Sequence, residues 1–338
     1  MIYSESALNI LTILSAQKLN AGNSRKKLYE RIGPAWIFRN LKEAKSTEEI
    51  VRLLTNENGT NEKIKVLEFE EARERAKQML KSLEGFASGM VAFTDKDFAV
   101  SRAKTINNGD RPVLLFYRGD LSLLHASNKN VAVIGVLTPA PEVERIERKV
   151  VKELVKNGAT IVSGLARGCD TIAHEQALES GGKTIAILPS PLSDILPARN
   201  KKLADKIVEK GGLLITEYWE DAHSKVELKR RYVDRDRLQA LFSDYIILSA
   251  SYDVNDKGLD CGSRHAMERA QSYKIPRAVI YDQEIHQSNP MYDLNRRLIR
   301  EDPDITIINE KNLENTIKKI VGKSNSIPDS QLSLFENT

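Results

Sequence analysis

From Val131 onward, short apolar runs rich in β-branched residues alternate with segments of helical periodicity. No other feature of the chain narrows the fold as far. The runs are Val131–Ile134, Thr160–Val162, Thr184–Leu188, Leu213–Ile215, Tyr245–Leu248 and Arg277–Ile280, with Ile305–Ile308 as a further candidate. Between the first two, Glu142 to Asn157 places Val143, Ile146, Val150 and Leu154 on one helical face. Strands that are apolar along their whole length need cover on both sheet faces, and helical crossovers make neighbouring strands parallel. The expected fold class is therefore α/β: a Rossmann-like, mostly parallel sheet with helices on both faces. Leu313 to Val321 reads as a closing helix.

The first ninety residues read differently. Leu8, Leu11, Ile13 and Leu14 form a helical stripe, Ser46 to Glu49 resembles a capping box ahead of Ile50, Leu53 and Leu54, and Ala72, Ala76, Met79, Leu80 and Leu83 mark another helix. The expected organisation is a small helical domain at 1–90 and a connecting segment at 91–128 that packs on the core. A Rossmann-like domain follows at 129–322, then a flexible polar tail at 323–338.

Composition removes several classes of function. No stretch approaches the roughly 18 uninterrupted apolar residues of a membrane helix, and the N-terminus lacks the basic and apolar regions of a secretory signal. Two cysteines argue against a disulfide scaffold and for a reducing compartment, so the cytoplasm is expected and no membrane partner. The net charge of +4 is too small to announce nucleic-acid binding. Its distribution is more telling: Lys225, Lys229, Arg230, Arg231, Arg235 and Arg237 crowd one segment against Glu227, Asp234 and Asp236.

The chemistry is expected beyond the carboxyl ends of the strands, where open α/β sheets bind ligands. Ser163-Gly164-Leu165-Ala166-Arg167-Gly168 links a strand to a helix opening near Asp170. Close backbone approach, free helical N–H groups and the Arg167 fork would suit a phosphate there. A second glycine-containing turn, ending in Gly262-Ser263, precedes another helix. The usual nucleotide motifs fail. Gly182-Lys183-Thr184 lacks the first glycine of a P-loop, where Ala177 stands, and it leads into a strand instead of a helix. No Gly-x-Gly-x-x-Gly follows Val131–Ile134, no zinc spacing occurs and no nucleophile elbow is present, so neither cofactor nor metal is expected.

The runs at 131–135, 161–178, 181–189, 196–203, 211–217 and 232–244, among them SGLARGCDTIAH and LPARNKKL, resemble the DNA-processing protein A (DprA/Smf) family in residues and order. Asp110–Leu124 and Asp293–Ile299 resemble the family's lead-in and closing segments. The resemblance implies a Rossmann-like protein that binds single-stranded DNA, usually as a homodimer, and helps load recombinase onto it. The expected chain is a non-enzymatic member acting in DNA processing, or, given its departures from the family, a specialised one in genome maintenance or defence. Carried over by position, Ser163, Gly164, Arg167 and Gly168 would form a phosphate pocket, with Lys229, Tyr232, Arg235 and Arg237 along the DNA; Gly262 and Ser263, at the second glycine-containing turn, would complete the site. Cations would track the backbone while the Tyr232 ring stacks a base. Three departures stand out. Leu137 replaces an expected arginine in the family's Gly-Ser-Arg, Asp236 replaces an asparagine, and no winged-helix-like segment is read after 322.

Gln331-Leu332-Ser333-Leu334-Phe335 resembles the peptide by which bacterial replication and repair proteins engage the β sliding clamp, the apolar residues serving as groove anchors. The competing reading is a nucleotide sensor or a nucleotide phosphoribohydrolase of the lonely-guy type. Its Pro-Gly-Gly-x-Gly-Thr-x-x-Glu signature is not met at 257–263, although Glu268 lies further along.

Overall fold

The computed structural model describes residues 1–16, 32–43, 45–57, 64–98, 101–254 and 262–322. Among the described residues four helices come first: α1 (Glu5–Ala16), α2 (Pro34–Asn40), α3 (Thr47–Glu57) and α4 (Val66–Ser82). The expected capping box forms before α3, with the Ser46 amide donating to Glu49 and the Glu49 amide to Ser46 Oγ. Strands β1 (Gly89–Ala92) and β2 (Leu114–Gly119) follow.

The alternating region then runs β3 (Asn130–Ile134), α5 (Pro141–Lys156), β4 (Thr160–Ser163), α6 (Cys169–Glu179), β5 (Thr184–Ile187), α7 (Lys201–Glu209), β6 (Leu213–Thr216), α8 (Lys225–Leu241) and β7 (Tyr245–Leu248). It closes with α9 (Ser263–Ser272), β8 (Arg277–Ile280), α10 (Gln283–His286), α11 (Asp293–Glu301), β9 (Thr306–Ile308) and α12 (Leu313–Gly322).

The nine strands of the described residues join one sheet in the order β1-β2-β6-β5-β4-β3-β7-β8-β9. From β6 to β9 every pairing is parallel. The chain winds outward from β3 to β6, then returns to lay β7 on the other side of β3. That reversal opens a crevice beyond the ends of β3, β4 and β7.

The segment read as a connection at 91–128 does more than pack on the core. It carries β2, which pairs antiparallel with β6 and with β1 and so extends the sheet. The run Leu114-Leu115-Phe116 is too short to advertise itself by periodicity, and an antiparallel pair leaves no crossover helix as a marker.

Side chains alternate across the sheet, as the pleat requires. Val131 and Val133 face a core shared with α5, α6 and α12, whereas Ala132 and Ile134 face one built with α8, α9 and α11. A third core joins the first four helices to α7 and to one face of β2, β5 and β6. The N-terminal helices thus pack on the same sheet. Among the described residues no helix is long and apolar enough to cross a membrane.

Candidate functional site

The loop after β4 is held in shape from three sides. At the strand's end the Ser163 hydroxyl donates to Val133 O at 2.7 Å. Asp170, in the first turn of α6, folds back to accept the amides of Gly164 and Ala166, each at 3.2 Å. Asn200 Nδ2 donates to Leu165 O and to Thr171 Oγ1, whose own hydroxyl proton goes to Ala166 O. Leu165 takes a positive φ of 57°, a conformation that needs such support in a residue other than glycine.

Two glycines let the loops after β3 and β4 touch. A side chain on Gly168, which also has a φ of +73°, would strike Val136 O and Leu137, and one on Gly135 would strike Cys169 Sγ. The β4 loop is therefore a rigid edge.

The interior of the crevice differs from a phosphate cradle. The face of Gly164 is filled by the Arg235 guanidinium, which reaches in from α8 and would overlap any side chain placed on Gly164. Arg235 is only 5% exposed and lies between Asp170, at 3.7 Å, and Asp236, at 3.2 Å. With both carboxylates ionised, the three groups sum to a negative charge. The free space beside them, lined by Gly135, Leu137, Ala166, Gln239 and Ser263 among others, is about 30 Å³, enough for a water molecule and too small for a phosphate.

Burial raises the pKa of Asp236 to about 7 against the opposing pull of Arg235. Burial also raises Asp170, opposed by Arg235 and the two loop amides. Beneath the crevice, burial pushes Glu147 on α5 to about 8, the Cys169 thiol and Ser249 hydroxyl offsetting this only in part.

Several sequence assignments change in consequence. Ser163 and Gly164 are buried and committed to the loop, so they do not present atoms to a ligand. Arg237 leaves the expected DNA set: both terminal nitrogens grip Glu217 at 2.7 Å and its Nε donates to Asp110 O. Ser263 caps the crevice from α9 by donating to Gly135 O at 3.1 Å, while Gly262 supplies the left-handed turn before that helix. Arg235 acts inside the crevice and not along its rim.

Other assigned residues are open to solvent. Arg167 is exposed at the tip of the β4 loop and forms no ion pair among the described residues. Burial raises the pKa of the half-buried Tyr232 against the opposing pull of Arg235 and Arg167, and the Tyr232 ring lies 5.9 Å from Arg235 Cζ. Lys229 and Lys225, three and seven residues before Tyr232 on α8, continue this line as exposed cations that form no ion pair among the described residues. Leu137, 40% exposed at the crevice mouth, supplies no charge.

Sequence reasoning also missed Arg231. Its side chain is buried, and it ties α8 to the preceding segment by donating to Glu220 O and Asp221 O and pairing with Glu227 at 2.8 Å. Nothing in a run of cations distinguishes such a tie from a free lysine. The rejected Gly182-Lys183-Thr184 motif is structural here: Lys183 Nζ donates to Lys210 O, and the Thr184 hydroxyl to Ile161 O within the sheet.

Residues 89–306 match the family described as DNA recombination-mediator protein A. The chain belongs to that family. It is 35% identical over 172 residues to the DNA processing protein DprA of Streptococcus pneumoniae, a match covering 51% of this chain and 58% of that one. It is 40% identical over 109 residues to the protein Smf of Escherichia coli, covering 32% and 29% respectively. The chain thus matches less than two thirds of the length of these relatives.

Two solved structures of DNA processing protein A share the architecture. The one from Streptococcus pneumoniae superposes with a TM-score of 0.64 at 24% identity, over 91% of this chain and 95% of that chain. The one from Helicobacter pylori gives 0.53 at 28%, over 69% and 95%, and is described for its mode of binding single-stranded DNA. For a DNA recombination-mediator protein A member, strands β1 to β8 and both crevice loops lie inside the matched region, which ends at the start of β9, whereas α1 to α4 lie before it.

Proposed function

We propose that this chain binds single-stranded DNA along the rim of the crevice and acts in DNA processing or recombination. The observation that carries the reading is the line formed by Arg167, Tyr232, Lys229 and Lys225, an aromatic ring among cations that no carboxylate neutralises among the described residues. Phosphates would be held by the cations from outside, and a base would stack on Tyr232 regardless of its identity. Family membership supports the same substrate class, since the Helicobacter pylori relative is described as binding single-stranded DNA.

Titration of labelled single-stranded DNA over a range of salt concentrations tests this. Affinity is expected to fall steeply with salt, and Lys229→Ala and Arg167→Ala should each flatten the log–log slope by about 0.7. Binding that is insensitive to salt, or unchanged in the double variant, would defeat the reading.

Further parts of the proposal concern partners. Residues 331–335 lie outside the described residues; their sequence supports tethering to the β sliding clamp, tested by clamp pulldown with and without that pentapeptide. Recombinase loading and a homodimer are proposed on the family relationship, with light scattering as the check on the dimer. The nucleotide phosphoribohydrolase or sensor reading has weaker support: Glu268 pairs with Arg264 at 2.9 Å on the exposed side of α9. Release of free base from nucleoside monophosphates would revive it.

A further inference from the structure

A second and larger cavity, about 340 Å³, lies beyond the carboxyl ends of β5 and β6. It shares the ligand-binding edge of the parallel sheet with the crevice, but none of the lining residues. Its walls come from the segment after β5, the segment before α8 and the first two turns of that helix. Pro189, Leu196, Ala222 and Leu228 supply apolar surface, while Ser190, Asp194 and Lys225 supply polar groups. The size is that of a small organic ligand and far exceeds that of a lone phosphate.

Two observations argue for an occupant. Ser190 is 2% exposed, and its hydroxyl has no hydrogen-bond partner among the described residues. A buried hydroxyl left unpaired is costly and is normally satisfied. The cavity is also preformed: Arg231 clamps the segment at Glu220 and Asp221 to α8, and its guanidinium packs 4.3 Å from the centre of the Tyr218 ring.

Position suggests which occupant. Leu228 and Arg231 line this cavity, whereas Arg235 and Gln239 line the crevice; their spacing of three and four puts all four on one face of α8. Lys225 stands at the cavity and Lys229 one turn further along the helix, so a polyanion following the rim passes the cavity mouth. A flat, mostly apolar group with hydrogen-bonding edges, attached to a polyanion, is a nucleobase.

Resting on the single-stranded DNA reading above, we infer that this second cavity is a subsite for one base of the bound strand. The base is held between Leu196 and Leu228, with its polar edge toward Ser190 and Asp194 and its phosphate toward Lys225.

The test compares an oligothymidylate with an abasic tetrahydrofuran strand of equal length. Each is bound to the wild type, to Ser190→Leu, which fills the cavity from its floor, and to Ala222→Phe, which fills it from a half-buried loop position. Either cavity-filling variant is expected to weaken the oligothymidylate about tenfold and to leave the abasic strand within about twofold. Ala222→Phe keeps the test usable if Ser190→Leu does not fold. Unchanged oligothymidylate affinity in a folded variant, or equal losses on both strands, overturns the base subsite while leaving the DNA reading intact. No binding of either strand by the wild type overturns both.

Discussion

At the scale of single residues, the site is governed by which arginines are already occupied. Arg237 and Arg167 are two cations of similar promise in the sequence, yet they should respond in opposite ways to removal. Arg237→Ala strands the largely buried Glu217 and is expected to cost on the order of 3 kcal/mol in urea unfolding. Arg167→Ala should leave stability within about 0.5 kcal/mol and weaken DNA binding at least tenfold.

Two buried acids add a pH dependence. The pKa of Asp236 is raised to about 7 and that of Glu147 to about 8. An acid whose folded value exceeds its unfolded value stabilises the fold fully at pH values below the unfolded one. That contribution is lost as pH rises through the folded value, over pH 4 to 7 for Asp236 and up to 8 for Glu147. Stability measured across this range should fall by about 1.4 kcal/mol per pH unit for each group. Asp236→Asn should remove one group's share of the slope up to about pH 7, and Glu147→Gln one group's share up to about pH 8. A profile left steep in both variants would place the titration elsewhere.

At the scale of elements, α8 carries two roles on one cylinder. Its inner stripe sends Arg231 and Arg235 into the molecule, and its outer stripe leaves Lys225 and Lys229 in solvent. This explains why it shows little apolar periodicity in sequence: the buried positions are themselves charged, neutralised by Glu227, Asp170 and Asp236. The helix starts at Ser224, whose Oγ accepts the Glu227 amide at 3.1 Å. Ser224→Ala should cost about 1 kcal/mol in denaturant unfolding and loosen the turn that carries Lys225. An unchanged unfolding midpoint would show that Arg231 alone anchors this end.

At the scale of the whole molecule, the N-terminal helices and the sheet share a core, which bears on cooperativity. The chain has two tryptophans, Trp36 in α2 and Trp219 after β6, and both belong to that shared core. Single-tryptophan variants, Trp36→Phe and Trp219→Phe, should report the same urea midpoint by fluorescence. Two separated midpoints would mean that the helices unfold as an independent unit.

By itself the sequence determined the parallel core, because alternating apolar runs and amphipathic helices leave few other ways to bury both faces of each strand. It also determined where the two crevice loops lie and which family they belong to, since those glycines and their neighbours are local in the chain. The tertiary structure alone decided which charges are available to a ligand. Asp170 meets Arg235 across 65 positions of sequence, Glu217 meets Arg237 across 20, and no local pattern encodes such pairs. The loop around Gly164 reads as a cradle for a phosphate, and in the fold it is filled by the protein's own arginine. The groups left for a ligand are those with no carboxylate within reach, and only the packing of distant elements determines which those are.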